Sequence, residues 1–142
     1  MRIAAQRELL ASRDDVWALL SEPQHLADWW PGYATIRPDR RGLAEGARWQ
    51  IVRTNYPGLL RRPGGDGLLV ITAVEPGQAF SWTDLQQGFR ADIRVEQVEA
   101  GRSLAEVIVH AAWWRLGLEG LRPAPRQALA RLHALCQTTA KL

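Results

Sequence analysis

The chain has one cysteine, one methionine and one lysine among 142 residues, and no apolar run approaches the roughly 18 residues of a membrane-spanning helix. A lone Cys136 cannot close an internal disulfide, which fits a reducing compartment and equally fits a small core residue. No apolar segment of signal-peptide length follows the N-terminal charge, so the expectation is a cytoplasmic chain without a membrane span. Histidine is also scarce: His25, His110 and His133 stand apart, and only His133 and Cys136 share helical spacing. Two ligands do not make a zinc site, so no metal is expected. There is no Gly-x-Ser-x-Gly elbow, and Gly64-Gly65-Asp66-Gly67 lacks the Gly-Lys-Ser/Thr of a phosphate loop. Hydrolase and nucleotide readings fall away, and no cofactor is called for.

The basic balance is carried almost wholly by arginine: seventeen arginines and one lysine face fifteen acidic residues, for a formal charge of +3 and a pI near 9.7. The arginines lie among acids. Small groups such as Arg37, Arg40 and Arg41, or Arg61 and Arg62, read as solvated surface or as contacts for an anionic ligand. With 46% hydrophobic and 23% charged residues, one domain over 1–142 is expected, burying about two-thirds of its unfolded surface.

Two helices are written between Ser12 and Gly32. Ser12 stands before Val16, Trp17, Leu19 and Leu20 with Asp15 three residues on, so hydroxyl and carboxylate can satisfy first-turn N–H groups of a helix over 13–20. Pro23 suits the first turn of a second helix, and Trp30 before Pro31-Gly32 ends it. A DNA-reading helix would expose polar side chains, whereas this one offers Leu26, Trp29 and Trp30 along a face. The pair is expected to plug a sheet, and no nucleic-acid partner follows.

The remainder reads mainly as strands, after a first weak one over 2–10. Residues 33–38 form the second, and 39–46 a charged turn. From 47 to 55, Trp49 and Ile51 share a face with Arg53 and Asn55, which puts a charge on an apolar face. Residues 56–66, with two prolines and three glycines, are expected to be a mobile loop. Strands follow over 67–74 and 79–85, the latter with Phe80, Trp82 and Asp84 on one face. Phe89, Ala91, Ile93 and Val95 then alternate with Arg90, Asp92, Arg94 and Glu96, a half-buried strand. A last strand over 103–113 turns Ala105, Val107, Val109, Ala111 and Trp113 inward. After Pro123 and Pro125, Ala128, Leu129, Leu132, Leu135, Cys136 and Thr139 recur at helical steps, an amphipathic helix of roughly four turns, about 22 Å long.

This order, with Val16-Trp17-Ala18-Leu19-Leu20-Ser21 and Asp28-Trp29-Trp30-Pro31-Gly32 in their places, resembles the START-like, Bet v 1-like (SRPBCC) superfamily and, within it, the polyketide cyclase/dehydrase-type branch. The resemblance implies an α+β helix-grip fold: a seven-stranded curved antiparallel sheet with two short helices and a long C-terminal helix over a cavity. It also implies an apolar small molecule inside, in a monomer or homodimer. Its members include lipid carriers, hormone receptors, aromatase/cyclases and co-chaperones, so the fold leaves the function open.

If the strands pair in the family's order, Arg53 and Asp84 lie near one end, about 10 Å apart at the backbone, and their side chains can meet. They either reach water there or anchor a ligand's carbonyl or phenol in an apolar pocket. The expected ligand-binding set is Trp49, Ile51, Arg53, Asn55, Phe80, Trp82, Asp84, Phe89, Ala91 and Trp113, with a mouth between 56–66, 86–88 and 114–122. A binding module for a hydrophobic, lipid- or polyketide-like molecule is the leading expectation. An aromatase/cyclase would use Arg53, Asp84 or Tyr56 to polarise a carbonyl or move a proton. A co-chaperone-like adaptor would show an exposed apolar patch.

Overall fold

A computed structural model describes residues 1–53, 66–118 and 120–140. In chain order the elements are β1 (Arg2–Leu9), α1 (Arg13–Leu20), a 3₁₀ turn (Pro23–His25), α2 (Leu26–Trp29), β2 (Tyr33–Arg37), β3 (Arg48–Arg53) and β4 (Asp66–Glu75). Then follow β5 (Ala79–Asp84), β6 (Phe89–Glu99), β7 (Arg102–Ala111), α3 (Trp113–Leu118) and α4 (Ala124–Ala140). The strands make one antiparallel sheet in the order β1-β7-β6-β5-β4-β3-β2. β1 and β2 are its two edges, so the helical segment between them carries the chain from one edge to the other. α4 packs on β1, β7 and α2, and the curved sheet grips it in the α+β helix-grip arrangement. No helix among the described residues is long and apolar enough to cross a membrane.

The helical plug forms for local reasons. The Ser12 hydroxyl accepts from the Asp15 amide at 3.2 Å and caps α1, which buries Val16 and Leu20. The single second helix expected after Pro23 is instead a 3₁₀ turn followed by one α turn. It ends as expected at Trp30, which precedes Pro31 and is extended (φ −85°, ψ 124°), as steric conflict with the proline ring requires. Trp29 and Trp30 are fully buried. Trp30 lies 5.0 Å from Trp82 and stacks on Phe89 at 5.7 Å, and Trp29 lies 5.9 Å from Trp82.

The strands keep a two-residue period wherever their pairing is regular. In β6, Phe89, Ala91, Ile93 and Val95 are buried while Arg90, Arg94 and Glu96 are exposed. In β7, Ala105, Val107 and Val109 are buried, and Leu104 and Ile108 are half-buried on the other side. The final helix buries Ala128, Leu129, Leu132 and Cys136 as its period requires; Thr139's side chain lies outside the described residues.

One expected strand end is corrected. β7 stops at Ala111, and Trp113 opens α3 with 72% of its surface exposed. Trp113 therefore does not line the interior. The segment stays attached through Leu116, which is fully buried.

Candidate functional site

At one end of the inner face, β2, β3, β5 and the β5–β6 turn bring four polar side chains together. Asp84, the last residue of β5, has no exposed surface, and the Arg53 side chain keeps 8%. The two residues sit on strands that flank β4, and their side chains bridge that strand. Arg53 Nη2 donates to both Asp84 oxygens at 2.8 Å. The Tyr33 hydroxyl donates to Asp84 Oδ2 at 2.7 Å, and the amides of Gln86 and Gln87 donate to Oδ1 at 3.0 and 2.9 Å. Four donor atoms thus occupy this carboxylate. Arg53 Nε donates in turn to Gln86 Oε1 at 2.9 Å.

Two glycines make this geometry possible. A Cβ at Gly67 would lie 2.7 Å from Gln86 Oε1 and 3.0 Å from Arg53 Nη2, so the arginine crosses β4 over the one residue type that leaves the space. Gly88 has φ +68° and donates its amide to the Asp84 carbonyl at 2.9 Å. That curls the turn so that the amides of Gln86 and Gln87 reach the carboxylate.

Tyr33 holds its proton firmly. Burial, reinforced by the neighbouring Asp84 charge and hydrogen bond, pushes its phenol well above the usual 10.0. The ring also carries the Arg53 guanidinium 5.6 Å from its centroid, and its oxygen accepts from the Trp82 indole at 3.4 Å. Beyond it, Trp49, Ile51, Phe80, Trp82, Phe89 and Ala91 are all buried on the same inner face. The structure therefore groups eight of the residues singled out from the sequence, counting Arg53 and Asp84. Asn55 and Tyr56 lie outside the described residues, as does the expected loop over 56–66 except for Asp66, which opens β4. No group of three or more possible metal ligands occurs among the described residues.

Tyr33, Gln86 and Gln87 did not emerge from the sequence. A two-residue period counted from buried Ile36 puts Ala34 inside and Tyr33 outside. A register shift between Tyr33 and Thr35 reverses this, so Tyr33 is buried and Ala34 exposed. A bulge re-aims a side chain in this way without a reliable sequence mark.

The opposite face of the sheet has its own polar group. A shallow depression of about 230 Å³ there includes Ser81, Arg90, Asp92 and Glu106. Burial raises the Asp92 pKa, but hydrogen bonds from Ser81, His110 and Arg90 outweigh it and hold the carboxyl below its usual range. The central carboxylate is bonded by both the serine and the histidine, so this is not a nucleophile–base relay, which needs the histidine between them.

Residues 1–137 match the family described as polyketide cyclase / dehydrase and lipid transport. The chain belongs to this family. None of the curated proteins matches the sequence. Among solved structures, an uncharacterised Bacillus thuringiensis protein is similar with a TM-score of 0.74 at 13% identity, covering 96% of this chain and 99% of its own. A Mycobacterium smegmatis protein is similar with a TM-score of 0.71 at 19% identity, covering 97% and 92%. Norcoclaurine synthase from Thalictrum flavum, solved with dopamine and hydroxybenzaldehyde, has a TM-score of 0.67 at 18% identity, covering 97% and 87%. At these identities the likeness shows a shared fold alone, and the chemistry of this chain has to be argued from its own residues.

Proposed function

We propose that the protein binds an apolar or aromatic small molecule, lipid- or polyketide-like, against the inner face of the sheet. In this reading Arg53 holds an oxygen of that molecule. The observation that carries it is a buried guanidinium only partly used: among the described residues, Nε and Nη2 have acceptors and Nη1 has none. The Arg53 side chain keeps 8% of its surface, which leaves a ligand carbonyl, phenol or carboxylate a place to bond the guanidinium. Energetics point the same way. Apolar residues of similar volume would often serve stability as well as, or better than, a buried ion pair, so a use other than stability is the reason to keep this one.

The surrounding rings define the rest of the ligand. Trp30, Trp82 and Phe89 pack on one another beside this polar anchor, and a ligand taking their place against Arg53 would meet flat apolar rings around a single polar group, the usual make-up of a small-molecule site. Asp84 has its oxygens occupied by four donors, which argues against a role as general base. A cyclase-type reaction would rest on Arg53 polarising a carbonyl.

Native mass spectrometry of freshly purified protein, followed by thermal shifts with lipids and aromatic polyketide-like compounds, tests the proposal. A retained molecule or a stabilising compound class is expected, with the shift lost in Arg53→Met. No bound molecule and no shift across the panel would remove the binding function.

A further inference from the structure

The large exposed apolar side chains among the described residues are Met1, Leu10, Leu85, Val98, Trp113, Trp114 and Leu118. Leu10 and Val98 lie toward the β6–β7 turn end of the sheet, where Leu9 pairs with Ser103. The other five lie at the end where β7 finishes. Met1 is bonded to Ala111, Trp113 follows two residues later, and Leu85 sits in the turn that opens into Phe89, the partner of Ala111. Arg115 ties these parts together: its guanidinium lies against Gly88 of that turn and 4.7 Å from the Trp114 ring centroid.

α3 exposes what a soluble surface normally hides. It buries Leu116 and turns outward Trp113, Trp114 and Leu118, with 72%, 46% and 79% of their surfaces exposed. Adjacent exposed tryptophans beside leucine form a contiguous apolar patch, the kind that marks an interaction site. Its surroundings are basic. From Ala111 to Arg126 the chain carries Arg115, Arg122 and Arg126 against Glu119 alone, and exposed Arg2 pairs opposite His110 on the neighbouring edge strand. Asp84, at the same end, is buried and already bonded to Arg53.

We propose that α3 and the Leu85 turn dock on a lipid bilayer carrying anionic headgroups. Trp113, Trp114 and Leu118 enter the boundary between headgroups and acyl chains, where amphipathic indoles are favoured, and Arg122 and Arg2 face lipid phosphates. A second copy of the chain fits less well, because a two-fold contact would set the same arginines against each other. The proposal stands whether or not the interior holds a ligand.

The test is flotation of the full chain with vesicles of phosphatidylcholine alone, and with vesicles in which about a third of the lipid is phosphatidylglycerol. Binding to the anionic vesicles is expected, weakened by high salt and accompanied by a blue shift of tryptophan emission. Trp113→Ala with Trp114→Ala should abolish it while preserving the circular dichroism spectrum, and Arg122→Glu should weaken it by at least about five-fold. If the double variant unfolds, Trp113→Ala with Leu118→Ser serves instead, since these are the two most exposed side chains of α3. Failure to float with either vesicle overturns the proposal, as does binding that ignores the variants. So does a dimer in sedimentation that the variants dissociate while vesicles stay unbound, or capture of an acidic protein partner without vesicle binding. A thermal shift by a soluble ligand that persists in the tryptophan variants would separate this surface from the interior site.

Discussion

Arg53 and Asp84 are each dependent on the other, because either one left alone is a charge without its counterion in a closed interior. Removing one partner of such a pair typically costs about 3–5 kcal/mol. Arg53→Met should therefore lower stability by that order in urea denaturation, and adding Asp84→Leu should recover part of the loss while ligand shifts stay absent. A single variant as stable as the parent would mean that water reaches the pair. Tyr33 supplies a pH test. Its folded pKa is raised above the unfolded value of 10.0, so its contribution is complete below about pH 10. Above that, the unfolded chain releases the proton more readily, and stability falls as pH rises toward the folded pKa. Of the two tyrosines in the chain, one should resist phenolate formation in ultraviolet titration until the protein unfolds. At this scale Arg53 and Asp84 were legible, because each continues a regular alternation on its strand. Tyr33 was not, since its inward direction depends on a bulge, and the parts of Gln86 and Gln87 are played chiefly by backbone amides, which every residue type shares.

Among the elements, the short α1–α2 segment is held less by helix propensity than by its tryptophans. α2 is four residues long, far below the length at which a helix persists unaided. Its place is set by Trp29 and Trp30 against Trp82, Phe80 and Phe89. Trp29→Ala or Trp30→Ala should each cost about 3–5 kcal/mol, a large fraction of a domain's stability. Melting within a degree of the parent for both would show that the plug is not so anchored. Gly67 in β4 offers a finer probe. Gly67→Ala places a methyl group against the far ends of Gln86 and Arg53, which can swing away, so the fold should survive while the Arg53–Gln86 bond is lost. Calorimetry should then show weakened ligand binding with little change in melting temperature.

For the whole molecule, binding inside a closed fold is read as stability. A ligand at a hundred times its dissociation constant adds about 2.7 kcal/mol, which for a chain of this size is roughly 5–10 °C in melting temperature. Thermal shifts that keep rising with the logarithm of ligand concentration above the dissociation constant, and that disappear in Arg53→Met, are the expected signature. A shift that is unchanged in Arg53→Met would point to nonspecific surface binding.

Alternation, capping and proline–glycine punctuation determined from the sequence alone where most strands run, which faces they bury and how α1 begins. These are short-range steric and hydration effects, decided within a few residues. Only the tertiary structure decided the rest. The bulge at Tyr33 and Thr35 depends on the partner strand β3. The end of β7 at Ala111 and the outward turn of Trp113 depend on Leu116 finding the core and Arg115 finding Gly88. Whether an apolar side chain is buried depends on which elements cover it, and residues far apart in the chain supply that cover.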